Sequence, residues 1–458
     1  MLKTKKVVLL FFSVLLCGLV LLAGCLWNSP SNSPPSIMDI DSLFPEAIVP
    51  TSLMTCTSRA DVYIDCSGSM SGFLAPPGQK ESNYSAFLRN LDGYLRVKYN
   101  TIRYYQFGSN MLPIQNISSA IRSRSFYGGE YTRISLPFDK VLAYQNDQIP
   151  ELTLIITDGI NSAPESADYR AIIGLISSCM AKGLQFEMVL TLSEFTGNIY
   201  PLDGTNFAGS TVYDWQEHGP RPFFVYLVSE PRSDCGRDLF DALLVNRRFQ
   251  AKYINFSRRP FEKPRGQNIK FEFHDRTGMM GKQDGLSSYL RKGNKQYVYW
   301  PNMAKGQDLV GTIDVVIPLL STGDDSILSD TDIWRLGEGY PKCIVEAFTW
   351  PEKKIIADPK LELVGAVNER NAMRVKLKVY QAEYDEPWTV YRVTLKPGNS
   401  TVVSPLWVDL YSTDLDSNLE CFSRTIYLKD FCESLTMTKQ FLDSPLCTFF
   451  IITKEMNK

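Results

Sequence analysis

Histidine is almost missing: the 458 residues include two, His218 and His274. A histidine-based zinc site or a Ser-His-Asp triad has to draw on one or both of them. Glycine loops of the Gly-x-x-x-x-Gly-Lys-Ser/Thr kind, which cradle phosphates with backbone N–H groups, are absent. So is Cys-x-x-Cys, which removes the usual zinc-ribbon and redox spacing. Charge of one sign is nowhere concentrated. Lys and Arg number 48, Asp and Glu 50, and the net charge is −2, so no basic stripe offers nucleic acid a footprint. What remains is ordinary globular chemistry, 44% hydrophobic and 21% charged, with length for two or three domains.

The first 25 residues read as an export signal. Lys3, Lys5 and Lys6 form the positive end, residues 7–22 are apolar, and Leu22-Ala23-Gly24-Cys25 closes the segment. The apolar run is short for a spanning anchor, and Asn and Pro follow it at once. The Leu-Ala-Gly-Cys ending resembles the lipobox of bacterial lipoproteins. That resemblance implies lipid on Cys25 and an extracytoplasmic chain anchored to a bacterial membrane, the outer one in a Gram-negative host, since Leu26 rather than Asp follows. Residues 26–57 are expected to be a tether, with a Ser/Pro/Asn stretch at 26–37 that spaces a domain from a surface. Eight cysteines follow Cys25, and export permits disulfides. Pairing within Cys421, Cys432 and Cys447 is the expectation.

Asp65-Cys66-Ser67-Gly68-Ser69-Met70 ends the apolar run Val62-Tyr63-Ile64. In an extended segment alternate side chains share a face, so the oxygens of Asp65, Ser67 and Ser69 address one point. Hard oxygen donors with a single formal charge suit Mg²⁺ or Mn²⁺, with Ca²⁺ as a third option, and leave coordination positions for water or a partner. Downstream, Leu152-Thr153-Leu154-Ile155-Ile156-Thr157-Asp158-Gly159 is a continuous apolar strand of the kind buried on both faces. Two such strands, each delivering an Asp at its carboxyl end, fit an open α/β sheet with a ligand crevice at that edge.

This pattern resembles the von Willebrand factor A domain family, whose metal-ion-dependent adhesion site reads Asp-x-Ser-x-Ser, then a Thr, then an Asp in a Thr-Asp-Gly turn. Asp65, Ser67, Ser69 and Asp158 match it. Thr132 matches the Thr, with Glu130-Tyr131 as extra residues after Gly128-Gly129. The resemblance covers residues 58–250 and implies a doubly wound, mostly parallel sheet. It also implies direct coordination by Ser67 and Ser69, coordination by Thr132 directly or through water, and by Asp65 and Asp158 mostly through water. A position left open would accept an Asp or Glu carboxylate from a partner protein. Two alternatives stand beside it. One is a structural envelope protein in which the metal braces loops. The other is a hydrolase with Asp65 as nucleophile, for which Ser67 occupies the place of the customary second acid.

Apolar periodicity places helices at 84–97, 136–144, 167–182 and 237–248, and strands at 60–65, 101–107, 111–114, 152–157, 185–192 and 223–228. A Gly-rich insertion spans 196–221. From 251 the pattern changes to short alternating strands, and a β-rich, sandwich-like domain is expected through 458. Its expected strands are 297–300, 309–317, 342–349, 373–379, 388–395, 406–411 and 448–453, with a helix at 428–439. Residues 414–420 mimic half a calcium loop, but Leu419 and Thr425 stand where a glycine and an acid are required. They read as an acidic turn, and Asp324, Asp325, Asp330 and Asp332 as a solvated loop.

Overall fold

The two apolar segments that end in Asp65 and Asp158 lie side by side. β1 (Thr57–Asp65) and β4 (Pro150–Thr157) pair in parallel with Ile64 opposite Ile156, so the loops that follow them emerge at one sheet edge. The computed structural model describes residues 35–44, 57–75, 78–145, 148–160, 169–199, 211–230, 235–245, 250–256, 269–274, 289–292, 295–303, 309–318, 335–336, 339–369, 372–380, 388–398, 402–413, 425–438 and 445–455. Cys25, the 414–420 turn and the Asp324–Asp332 loop lie outside these residues.

Five more strands complete this sheet: β2 (Thr101–Phe107), β3 (Met111–Pro113), β5 (Gln185–Ser193), β8 (Arg221–Ser229) and β9 (Ala251–Asn255). A separate hairpin, β6 (Thr196–Ile199) with β7 (Thr211–Asp214), lies within the Gly-rich insertion. The order is β3-β2-β1-β4-β8-β5-β9. β1 is parallel to β2 and to β4, whereas every other pairing in the sheet is antiparallel.

The expected mostly parallel sheet is therefore corrected to a mixed one. β8 returns from the insertion in the opposite sense and takes the place beside β4, displacing β5 by one position. β4 and β5 still point the same way, each antiparallel to β8. Every residue of β5 and β8 is buried. A continuous apolar run reports burial on both faces, and it carries no information about strand direction.

Helices cover both faces. α1 (Ile37–Leu43) belongs elsewhere and is described below; α2 (Asn83–Lys98) starts at the Ser82 cap and buries Tyr84, Phe87, Leu88, Leu91 and Leu95 at helical spacing. It shares a core with Val62 and Ile64 of β1. On the other face, α3 (Ser135–Ala143) and α4 (Tyr169–Ala181) pack with Tyr63 and Ile155. α4 ends at Gly183, whose φ of +91° belongs to the left-handed region, and Leu184 N–H closes the turn onto the Cys179 carbonyl at 3.1 Å. α5 (Cys235–Val245) returns to the α2 side through Leu239 and Phe240.

The later half holds a four-stranded sheet made of β10 (Lys270–His274), β13 (Leu309–Pro318), β18 (Ala372–Tyr380) and β17 (Leu361–Glu369), in that order. A six-stranded sheet combines β11 (Tyr289–Lys292), β12 (Lys295–Met303), β23 (Cys447–Glu455), β19 (Trp388–Lys396), β15 (Lys342–Trp350) and β16 (Ile355–Ile356). Two short pairings stand apart, β14 (Arg335–Leu336) with β20 (Val402–Val403), antiparallel, and β21 (Ser412–Thr413) with β22 (Thr425–Ile426), parallel. The sheets meet through apolar side chains, as where Phe271 of β10 meets Phe449 of β23 edge-on at 5.3 Å.

Four expectations change. Residues 406–411 form helix α6 (Leu406–Tyr411) rather than a strand: Trp407 and Val408 are buried in succession while Leu406 and Leu410, one turn apart, face solvent. Within the expected 26–57 tether, α1 docks. Ser36 and Asp39 form a capping box, and Ile40, Leu43 and Phe44 bury against Trp388, Val390, Phe450 and Ile452, each worth roughly 1.5–3 kcal/mol. β9 belongs to the first sheet although it begins at 251. Cys432 is a buried free thiol, so the expected pairing does not involve it, and Cys421 lies outside the described residues.

Both halves share one core. α7 (Leu428–Thr436) sets Phe431, Cys432 and Leu435 in the same apolar cluster as Ile172 and Ile176 of α4, and the Phe431 ring lies 6.0 Å from that of Tyr226 in β8. Among the described residues no helix is long and apolar enough to cross a membrane.

Candidate metal centre

Beyond Asp65 the chain leaves the sheet and tightens into a 3₁₀ turn, Gly68–Phe73. Ser67 N–H donates to Asp65 Oδ1 at 2.9 Å, which folds the loop back over the carboxylate. The Ser67 and Ser69 hydroxyls stand 3.1 Å apart. The loop carrying Thr132 is stitched alongside: Gly68 N–H donates to the Gly129 carbonyl and Gly129 N–H to the Cys66 carbonyl, both at 2.9 Å. A Cβ on Gly129 would lie 3.0 Å from the Cys66 carbonyl oxygen, so any side chain there would push the Cys66 backbone back by a few tenths of an ångström. Thr132 Oγ1 then reaches Asp65 Oδ1 at 3.4 Å.

Thr157, the last residue of β4, donates its hydroxyl to Asp65 Oδ2 at 2.7 Å and links the two strand ends directly. Asp158 follows, with Ile160 N–H donating to Oδ1 at 3.1 Å. Asp65, Ser67, Thr132 and Asp158 are buried, and Ser69 is half-buried. All five residues singled out from the sequence thus gather at the carboxyl ends of β1 and β4.

The electrostatics follow from two acids buried together. Burial, and then the charge of Asp158, push the Asp65 carboxyl up to about 7. Burial also raises Asp158, opposed chiefly by the charge of Arg221. Arg221 begins β8, is itself buried, and lies over the Phe195 ring at 4.8 Å. Ser69 favours the ionised form of Asp158, yet the buried Oδ2 of that residue receives no hydrogen bond among the described residues. Burial raises the Cys66 thiol to about 11, which makes it an inert wall rather than a ligand.

Whether the residues fit a divalent cation turns on that orphaned Oδ2. A buried carboxylate oxygen without a donor is costly, and the groups that act on Asp158 include the Arg221 guanidinium as well as the Ser69 hydroxyl. An all-oxygen set with two acids suits Mg²⁺ or Mn²⁺. The residues fit.

Two participants escaped the sequence pattern. Thr157 read as the end of an apolar strand, and Arg221 lay in an insertion with no periodic signal; only the antiparallel return of β8 brings it to the site. His218 ends a short helical turn with its ring 5.2 Å from that of Tyr213, and His274 pairs with Asp314 on another sheet. No family model, curated protein or solved structure matches the chain.

Proposed function

We propose that this chain is a binding protein of the cell envelope that captures a partner protein through a divalent cation held by Asp65, Ser67, Ser69, Thr132 and Asp158, with lipid on Cys25 as its membrane anchor. The observation that carries the reading is the buried Oδ2 of Asp158, donor-free among the described residues, beside the Ser67–Ser69 hydroxyl pair. A bound Mg²⁺ or Mn²⁺ supplies a Lewis-acidic position that an Asp or Glu carboxylate of the partner completes. The protein's own residues set the conditions. Ser67 N–H and the Thr157 hydroxyl each donate to one oxygen of Asp65 and fix it in one orientation, with lone pairs left on both. Arg221 offsets the charge of Asp158, so two acids and one arginine leave a divalent cation with net positive charge to offer an incoming carboxylate.

The burial of four of the five side chains favours a second reading, in which the cation braces three loops and binds nothing outside. One experiment separates them. The purified chain is presented to envelope extract with Mg²⁺ and with EDTA, beside the Ser67→Ala/Ser69→Ala variant, and its melting temperature is measured in parallel. The binding reading expects the variant to lose metal-dependent capture while its melting temperature in EDTA stays nearly that of the unsubstituted chain. Collapse of stability with capture retained assigns the cation to bracing.

A further inference from the structure

The β-rich half carries a separate constellation. β10 and β13 pair antiparallel with Glu272 opposite Asp314 and His274 opposite Thr312. Directly opposed residues and next-but-one neighbours share a sheet face, so Glu272, His274 and Asp314 project together. One ligand atom from each lies within 4.8 Å of the others. His274 Nε2 and Asp314 Oδ2 are 3.2 Å apart. That is close to the ligand-to-ligand edge of about 3.4 Å required by a tetrahedral zinc centre.

A second observation concerns Asp314 alone. The residue is 6% exposed, and its buried Oδ1 receives no hydrogen bond among the described residues. The cation now serving the cluster is Arg374 of β18. Its Nη1 pairs with Glu272 and, at 3.5 Å, with Asp314 Oδ2, while its Nε pairs with Glu369. One guanidinium thus serves three carboxylates, which leaves two negative charges when His274 is neutral. Lys376, opposite Asp314 in register, and Lys270, two residues before Glu272, are both exposed to solvent. Glu272 and Asp314 together match the charge of a divalent ion, and an imidazole nitrogen among the donors selects zinc over magnesium. Glu272 and His274 are half-buried, which gives the position access to solvent.

We propose that Glu272, His274 and Asp314 form a Zn²⁺ site, separate from the Asp65 centre, and that Arg374 gives up Glu272 and Asp314 and stays on Glu369 when the metal binds. With three protein ligands, the fourth position falls to water.

The test is calorimetric titration of the whole purified chain with Zn²⁺ in millimolar Mg²⁺, which keeps the oxygen-only Asp65 centre filled. The expected result is one Zn²⁺ bound per chain, weakened at least ~10-fold in His274→Gln and in Asp314→Asn. Ser67→Ala/Ser69→Ala is expected to leave it unchanged, and Arg374→Gln to tighten it by removing a competing cation. Co²⁺ in place of Zn²⁺ is expected to give the intense visible absorption of a tetrahedral centre, lost in His274→Gln. Circular dichroism establishes that each variant is folded. His274→Gln keeps an amide donor toward Asp314, which protects the fold while removing the ligand. Equal zinc affinity in wild type and His274→Gln overturns the site, as does a weak, octahedral Co²⁺ spectrum. Weaker binding in Arg374→Gln overturns the displacement of Arg374.

Discussion

Asp65 is the side chain around which the first centre is arranged, since Ser67, Thr132 and Thr157 all address its two oxygens. Its carboxyl moves from an ordinary 3.8 up to about 7, through burial first and the charge of Asp158 second. The folded, metal-free chain therefore holds a proton that the unfolded chain releases. This stabilisation is fully present below pH 3.8 and is lost as pH rises through about 7. A divalent cation acts in the opposite sense, because it competes with that proton for the same pair of acids. Melting in EDTA is expected to show this contribution falling away as pH rises from 3.8 to about 7, and the Mg²⁺-induced rise in melting temperature growing over the same window. A Mg²⁺ effect that is flat across it, or largest at the acid end, would remove Asp65 from the metal set.

The turn that presents Ser67 and Ser69 rests on an element from far along the chain. Phe195, just after β5, stacks edge-on against Phe73 at 4.8 Å and fills the space above Gly72, where a Cβ would lie 2.4 Å from Phe195 Cε2. Gly72→Ala therefore has to push an aromatic ring out of a packed core or tilt the turn. A loss of about 1–3 kcal/mol is expected in urea unfolding, together with weaker Mg²⁺ binding by calorimetry. Unchanged values for both would mean that Phe195 moves aside freely and that the turn is not positioned by it. This support could not be read from sequence, because the contact joins residues that no local pattern relates. The strands ending at Asp65 and Thr157 and helix α2 were legible, since their apolar spacing matches their burial. The direction of β8 was not, because a doubly buried strand looks the same parallel or antiparallel. The helix at 406–411 was misread because its buried Trp407 and Val408 are adjacent, which six residues do not distinguish from a strand. The Glu272–His274–Asp314 cluster depends on pairing between β10 and β13 across 40 residues, so neither segment signals it alone.

At the scale of the whole molecule the two halves are expected to unfold as one cooperative body, because one apolar cluster holds residues of both. Tyr226, Ile172 and Ile176 on one side and Phe431, Cys432 and Leu435 on the other belong to the same cluster. Phe431 is 4% exposed, and its truncation leaves a cavity at the junction itself. Phe431→Ala is expected to cost about 3–5 kcal/mol and to do so identically for probes placed in either half. Calorimetry of the wild-type chain should then give a single transition. The same continuity links the two proposed cation sites thermodynamically, since a ligand that binds only the folded state stabilises everything that unfolds with its site. Mg²⁺ at Asp65 and Zn²⁺ at His274 are each expected to raise that one melting temperature. Two transitions, each answering to only one of the cations, would show instead that the halves unfold separately and that the Tyr226–Phe431 contact does not couple them.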